Sequence, residues 1–251
     1  MSEAAGLQVF PVDGMPEIEE GAPLGELIAA RADLHAGDVI VLSQKIVSKA
    51  EGQVRRLSSV IPGAEARRLA AALDKEPALV ELILEESREV LRAERGVLIT
   101  ETRHGFVCAN AGIDRSNLTE DGTVSLLPED PDASARRIRS EVAAEAGVRP
   151  AVIVADSFGR AWRLGQAEVA IGCAGIEPLD DWRGRPDAEG RKLEATLIAV
   201  ADEAASAADL VRGKDSRVPV AIIRGLDRFV TPGDGPGATA LRRNSDEDLF
   251  R

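Results

Sequence analysis

The sequence predicts an α+β fold in which β-branched strands and amphipathic helices share one chain of 251 residues. Three runs carry the strand prediction: Asp38 to Leu42, Val152 to Val154 and Val218 to Ile223. Each is of strand length and rich in Val and Ile, side chains that pack well on a pleated surface. Helices are predicted where apolar residues recur at helical spacing, over Pro62 to Leu73 and Glu76 to Glu86. A third is bracketed by start and stop signals, Asp130-Pro131-Asp132 before Ala133 to Ala146 and Gly147 after it.

The remaining elements follow in chain order. Leu7 to Val12 reads as a strand running into a turn at Asp13-Gly14, with Met15 to Ile18 in a loop. Leu24, Leu27 and Ile28 suggest a short helix ending before Gly37. Val97 to Thr100 and Phe106 to Ala109 flank Arg103-His104-Gly105 as a hairpin, with His104 at its tip. Trp182 to Asp187 is a turn-rich charged loop, and Leu193 to Val200 reads equally as strand or helix. Ala201 to Arg212 is an alanine-rich helix stopped by Gly213. Residues 1–232 are expected to act as one unit, and the Gly/Pro-rich, then charged, residues 233–251 as a loosely held tail.

Composition narrows the function. The length permits a large buried core, and with 3% aromatic residues and no Tyr that core must rest on Leu, Val, Ile and Ala. A net charge of -12 argues against a broad nucleic-acid or membrane-surface footprint, so any anion site must be locally basic. Cys108 and Cys173 are too few for a disulfide scaffold or a closed cysteine zinc site, and His35 and His104 lie far apart, so metal ligands would be oxygens. No signal-peptide pattern and no bilayer-length apolar stretch is present, and a cytoplasmic location is expected.

Three stretches carry chemistry. The strand at Val152 to Val154 is expected to stop at Asp156-Ser157, which offer hard oxygen ligands. Gly159 follows, then Arg160 and Arg163, whose planar forks suit phosphate or carboxylate. Helix capping and surface ion pairing would use the same residues. Lys45 and Lys49, with a hydroxyl between them at the end of the strand Asp38 to Leu42, could grip phosphates; alternatively they guard an exposed edge strand. Asn110 to Asn117 brings Asp114 and Asn117 to one tight turn, as a binding locus or as a plain Asx turn.

Read in order, FPVDGMPEI, SQKIVSKAEG, CANAGIDRSN, ADSFGRAWRLGQAEVAIG and ADEAASAADLVRGK resemble the coenzyme F-420:L-glutamate ligases over about Leu7 to Gly225. The resemblance implies a mixed α/β architecture forming an intertwined homodimer. It implies GTP-dependent addition of L-glutamate to coenzyme F-420-0 through an acyl phosphate, with Mg²⁺ or Mn²⁺ and K⁺. By the same resemblance Asp114, Asp156 and Ser157 match metal positions. Met15, Pro16, Glu17, Ile18, Gln44, Lys45, Lys49 and Asn117 match nucleotide-binding ones, and the run Arg212, Gly213, Lys214, Asp215, Ser216, Arg217 and Val218 is expected to bind nucleotide beside them. Asp156, Lys49 and Arg160 are the expected catalytic residues, Arg160 and Arg163 as holders of the acidic acceptor.

Lys214 departs from the family pattern, standing near where archaeal members carry an acidic or amide metal ligand. A protonated lysine has no lone pair for a cation, so a phosphate role is expected. Relatives with a following flavin-binding domain also exist, whereas this sequence ends at Arg251. The rival readings are a nucleotide- and metal-binding module without ligase activity, and a related ligase with another acidic acceptor.

Overall fold

In the computed structural model, which describes residues 6–116, 118 and 120–248, the β-branched runs become neighbours in one sheet. In chain order the elements are β1 (Gln8–Pro11), α1 (Leu24–Ala29), β2 (Val39–Ser43), α2 (Gln44–Ala50) and β3 (Val54–Arg56). Then come α3 (Ala64–Leu73), α4 (Pro77–Glu85), β4 (Ser87–Glu94), β5 (Val97–Thr102), β6 (Val107–Ala109) and β7 (Thr123–Ser125). The chain continues with α5 (Pro131–Ala146), β8 (Ala151–Arg160), β9 (Arg163–Ala174), β10 (Asp180–Asp181), β11 (Leu197–Ile198), α6 (Val200–Asp209) and β12 (Val220–Arg224). The main sheet has the order β1-β12-β2-β8-β9, with β2 and β8 parallel and the other neighbours antiparallel. A three-stranded β4-β5-β6 meander and two short pairs, β3-β7 and β10-β11, complete the strands.

Both faces of the sheet are covered, which is why its central strands are apolar without alternation. Ile40, Leu42, Val152 and Val154 pack with Leu24 and Ile28 of α1 and Ile138 and Val142 of α5. Their sequence neighbours Val39, Val41, Ala151 and Ile153 face the alanines of α6. Small residues on α6 let the helix lie close, and Gly172 does the same for β9, where a side-chain carbon would collide with Pro131 at the start of α5. A third cluster joins α3 and α4 to Leu98, Ile113 and Val124. Among the described residues no helix is long and apolar enough to cross a membrane.

The helix brackets hold: the Asp130 carboxylate accepts from the Ala133 N–H at 2.9 Å, and Gly147 ends α5 at φ 69°. Four features differ from the sequence reading. First, the strand carrying Lys45 and Lys49 is no exposed edge: β2 lies between β12 and β8, and the lysines sit on α2. Second, β8 does not stop at Asp156-Ser157 but runs to Arg160, because β9 pairs with it out to the Arg160–Arg163 turn. Third, β4 was invisible as a strand, since bulges at Ser87/Glu89 and Val90/Arg92 break its two-residue alternation. Fourth, α6 ends at Asp209, and only turns follow as far as Arg212.

Residues 234–241, expected within a loose tail, are tied to the body. Arg139 is fully buried and donates to the Thr231 carbonyl at 2.6 Å, the Gly233 carbonyl at 2.9 Å and the Asp234 carboxylate at 2.8 Å. Ala238 is buried, and its N–H donates at 2.7 Å to the Asp132 oxygen that also accepts from the Cys173 N–H.

Candidate active site

Helix α2 begins where β2 ends, so its side chains stand beside the parallel β2-β8 pair. Lys45 and Lys49 are four residues apart and therefore share a helix face. Lys45 Nζ lies 2.6 Å from the Asp114 carboxylate, from the Ser116 carbonyl and from the Ser116 hydroxyl. Lys49 Nζ lies 2.5 Å from Glu17, which ties the Met15–Ile18 loop to the same helix. Gln44 is buried and accepts from the Ser48 hydroxyl at 2.7 Å, while its Nε2 donor has no partner among the described residues.

Asp114 follows a turn in which Asn110, Ala111 and Gly112 are all left-handed, with φ of 52°, 54° and 72°. Its two carboxylate oxygens divide the work. Oδ1 accepts from the Ser116 N–H at 2.7 Å, an Asx turn, and Oδ2 holds Lys45. The Asx turn that the sequence allowed is therefore present, and the second oxygen is engaged by Lys45. Burial alone would raise the Asp114 carboxyl, but the Lys45 and Ser116 hydrogen bonds outweigh it and hold the group below its ordinary value.

Asp156 and Ser157 are consecutive on β8, so they point to opposite faces of the sheet. Burial pushes Asp156 up to about 7, reinforced by the charges of Glu168 and Asp114 and opposed by the Ser157 N–H and Lys45. On the other face the Ser157 hydroxyl donates to Glu168 at 2.6 Å and receives from Lys214 Nζ at 2.9 Å. Glu168 is buried opposite Ser157 in the β8-β9 register and also accepts from Arg212 at 3.4 Å. Arg212 is buried with its Nε unpartnered among the described residues.

Sequence reasoning missed Glu168. Its signal was a charged residue leading an apolar run, Glu168-Val169-Ala170-Ile171, where burial demands partners. The structure does not bring Arg160 and Arg163 to this cluster. They face one another at the tip of the β8-β9 hairpin, where Arg160 donates to the Leu164 carbonyl at 2.7 Å. Ile18 is buried in the core and Met15 packs against it, whereas Pro16 and Glu17 are exposed. Gly213, Asp215, Ser216 and Arg217 form an exposed loop leading through Val218 to β12, and Ser216 bonds within it to the Gly213 carbonyl at 2.7 Å. Asn117 lies outside the described residues.

The donor set suits a hard divalent cation. Asp114 and Asp156 are close enough to feel one another's charge, and a cation between like carboxylates relieves that repulsion. Among the described residues no three His, Cys, Asp or Glu side chains surround one point.

The protein-family comparison matches residues 14–225 to the family described as F420-0:Gamma-glutamyl ligase. The chain is 44% identical to the Coenzyme F420:L-glutamate ligase of Haloarcula marismortui, over 98% of this chain and 96% of that protein. It is 44% identical to the enzyme of that name from Methanothermobacter thermautotrophicus, over 98% and 99% of the two chains. With the counterpart from Methanocaldococcus jannaschii the identity is 42%, over 99% and 96%. A family match across most of the chain and full-length relatives at this identity agree, and the chain belongs to the F420-0:gamma-glutamyl ligase family.

Proposed function

We propose that this protein joins L-glutamate to coenzyme F-420-0 as a γ-glutamyl amide, using GTP. The observation that carries the reading is the pair of cation–carboxylate groupings flanking β8, Lys45 with Asp114 near Asp156 on one face and Lys214 and Arg212 with Glu168 and Ser157 on the other. Cations beside a carboxylate pair that can hold a divalent metal are what transfer of a phosphoryl group requires. The unpartnered donors Gln44 Nε2 and Arg212 Nε point the same way, because buried N–H groups without acceptors suit phosphate oxygens.

A carboxylate is a poor acylating agent. Transfer of the γ-phosphoryl group of GTP to it forms an acyl phosphate and GDP. The glutamate amine then attacks the carbonyl carbon, loses its proton and expels phosphate. In this scheme Lys45 and Lys49 hold phosphates from the α2 side and Arg212 and Lys214 from the α6 side. Asp114 and Asp156 would hold Mg²⁺ or Mn²⁺, which neutralises charge on the phosphate oxygens, while the Ser157 hydroxyl stays with Glu168 and Lys214 on the other face of β8. K⁺ is the proposed monovalent cation, and exchanging it for Na⁺ should slow turnover.

The proposed assembly is a homodimer. The β8-β9 hairpin tip carries Trp162 at 82% and Leu164 at 97% exposure, an apolar pair at the end of a projecting arm and suited to a second copy. Light scattering should give twice the chain mass, and Trp162→Ser with Leu164→Ser should lower it. The decisive test of activity is incubation with coenzyme F-420-0, L-glutamate, GTP and Mn²⁺. A product heavier by one or more glutamyl residues supports the ligase; unchanged coenzyme with folded protein refutes it.

A further inference from the structure

At the end of the main sheet away from the candidate active site, α6 covers a cleft of about 250 Å³. Val200, Glu203, Ala204 and Ala207 border it, spaced three and four residues apart on one face of the helix. Ile223 near the end of β12 and Phe229 beyond it supply more apolar wall. Ile223 pairs with Val39 at the start of β2, so the cleft lies about 13 Å along the sheet from Ser43, where α2 begins. The two alanines account for the space, because their methyl groups leave a gap that Leu or Ile would fill.

The charged groups at this cleft divide into those already engaged and those left over. Asp180 borders it too, but its carboxylate accepts from Trp182 Nε1 at 2.8 Å and from Arg185 at 3.2 Å. The Asp227 carboxylate lies against Gly37, outside the cleft lining. Glu203 and Arg228 carry opposite charges and both border the cleft, yet among the described residues neither side chain makes an ion pair or a hydrogen bond. Arg228 is not loose, since its guanidinium sits over the Phe229 ring, 4.3 Å from the centre. One cation and one anion are thus kept apart at the rim of an apolar hollow.

We propose that this cleft binds a free amino acid with a branched or aromatic side chain. Its tail would rest on Ala204, Ala207 and Ile223, its carboxylate at Arg228 and its ammonium at Glu203. An apolar hollow alone accepts any oily group, whereas separated opposite charges select a ligand that carries both. The volume suits so small a molecule, since drug-sized ligands take about 300–1,000 Å³. None of these residues belongs to the catalytic scheme above, so binding here and ligation stand or fall separately.

Calorimetric titration of the full chain with L-leucine and with L-phenylalanine is the test. Saturable binding of at least one is expected, with a dissociation constant of about 1 mM or tighter. Leucinamide, which lacks the carboxylate, isocaproate, which lacks the ammonium, and glycine, which lacks the tail, should each bind about tenfold more weakly or worse. Arg228→Gln and Glu203→Gln, both at exposed positions, should weaken the amino acid by about tenfold, and Ala207→Leu should abolish its binding by filling the cleft. If Ala207→Leu melts early, the two exposed substitutions decide. No saturation by either amino acid up to about 20 mM, or binding indifferent to these substitutions, overturns the assignment. Equal binding of leucinamide or isocaproate overturns recognition by paired charges. A molecular mass that falls in Ala207→Leu, with no amino acid bound by the wild type, gives this face to a second copy of the chain and also overturns it.

Discussion

Single residues divide into those that define the cluster and those that tune it. Asp156 is half-buried near like charges, so Asp156→Asn should lose at least about a hundredfold in ligation while melting at or above the wild-type temperature in chelator. Asp114→Asn should lose activity as strongly but also release Lys45, and its melting temperature should fall. Calorimetry with Mn²⁺ in the absence of nucleotide separates the two effects. Equal turnover by either variant and the wild type would refute the metal role. Lys214 reaches Ser157 and stands 3.8 Å from Glu168, close to where phosphates would lie. Because its side chain is 71% exposed, Lys214→Ala should weaken GTP binding only about fivefold, on the order of 1 kcal/mol, and metal binding less. The strand leading to Asp156 and Ser157 and the tight turn at Asp114 were legible from sequence, in a β-branched run and in an Asn- and Gly-containing stretch. Glu168 was not, because its role exists only through the strand pairing that sets it opposite Ser157.

At the scale of elements, the strand ends matter most. Asp38 stands just before β2 and is buried, receiving the Arg224 guanidinium from the end of β12 at 2.8 and 2.9 Å and the His35 N–H at 2.8 Å. Burial raises this carboxyl, but the arginine and the N–H prevail and hold it below its ordinary value. A depressed carboxylate stabilises the fold above its unfolded value near 4, and that contribution is lost as pH falls through the lower folded value. Asp38→Asn should therefore melt below the wild type at pH 7, with the gap closing toward pH 2. A gap that is constant with pH would dismiss the linkage. Elements with a helical period, such as α3 and α4, with start and stop signals, such as α5, or with a β-branched run, such as β2, could be read directly. The long reach of β8 and β9 could not, since each depends on the other strand to extend it.

Across the whole molecule, Arg139 joins α5 to the segment after β12, and its N–H groups satisfy three carbonyls and a carboxylate at 2.6–2.9 Å. Arg139→Met should fit the buried space yet strip those acceptors of partners, costing about 3 kcal/mol. The midpoint should drop by roughly 6–12 °C, and a change below about 2 °C would show that the acceptors find water instead. Composition suggested a loose tail because Gly and Pro were counted without their contacts; at Gly233 and Asp234 one buried cation more than 90 residues upstream holds the chain.

The strand order has a consequence for synthesis. Strand β12 lies between β1 and β2, although more than 170 residues separate it from β2 in sequence. During translation the first two strands emerge early with the slot between them unfilled, and the sheet closes only when Val220 to Arg224 leave the ribosome. Non-local pairing of this kind is slow and leaves apolar edges open meanwhile. Ribosome-bound chains stalled before Val220 should therefore be cut rapidly by protease across β1 and β2, and chains released with β12 present should resist.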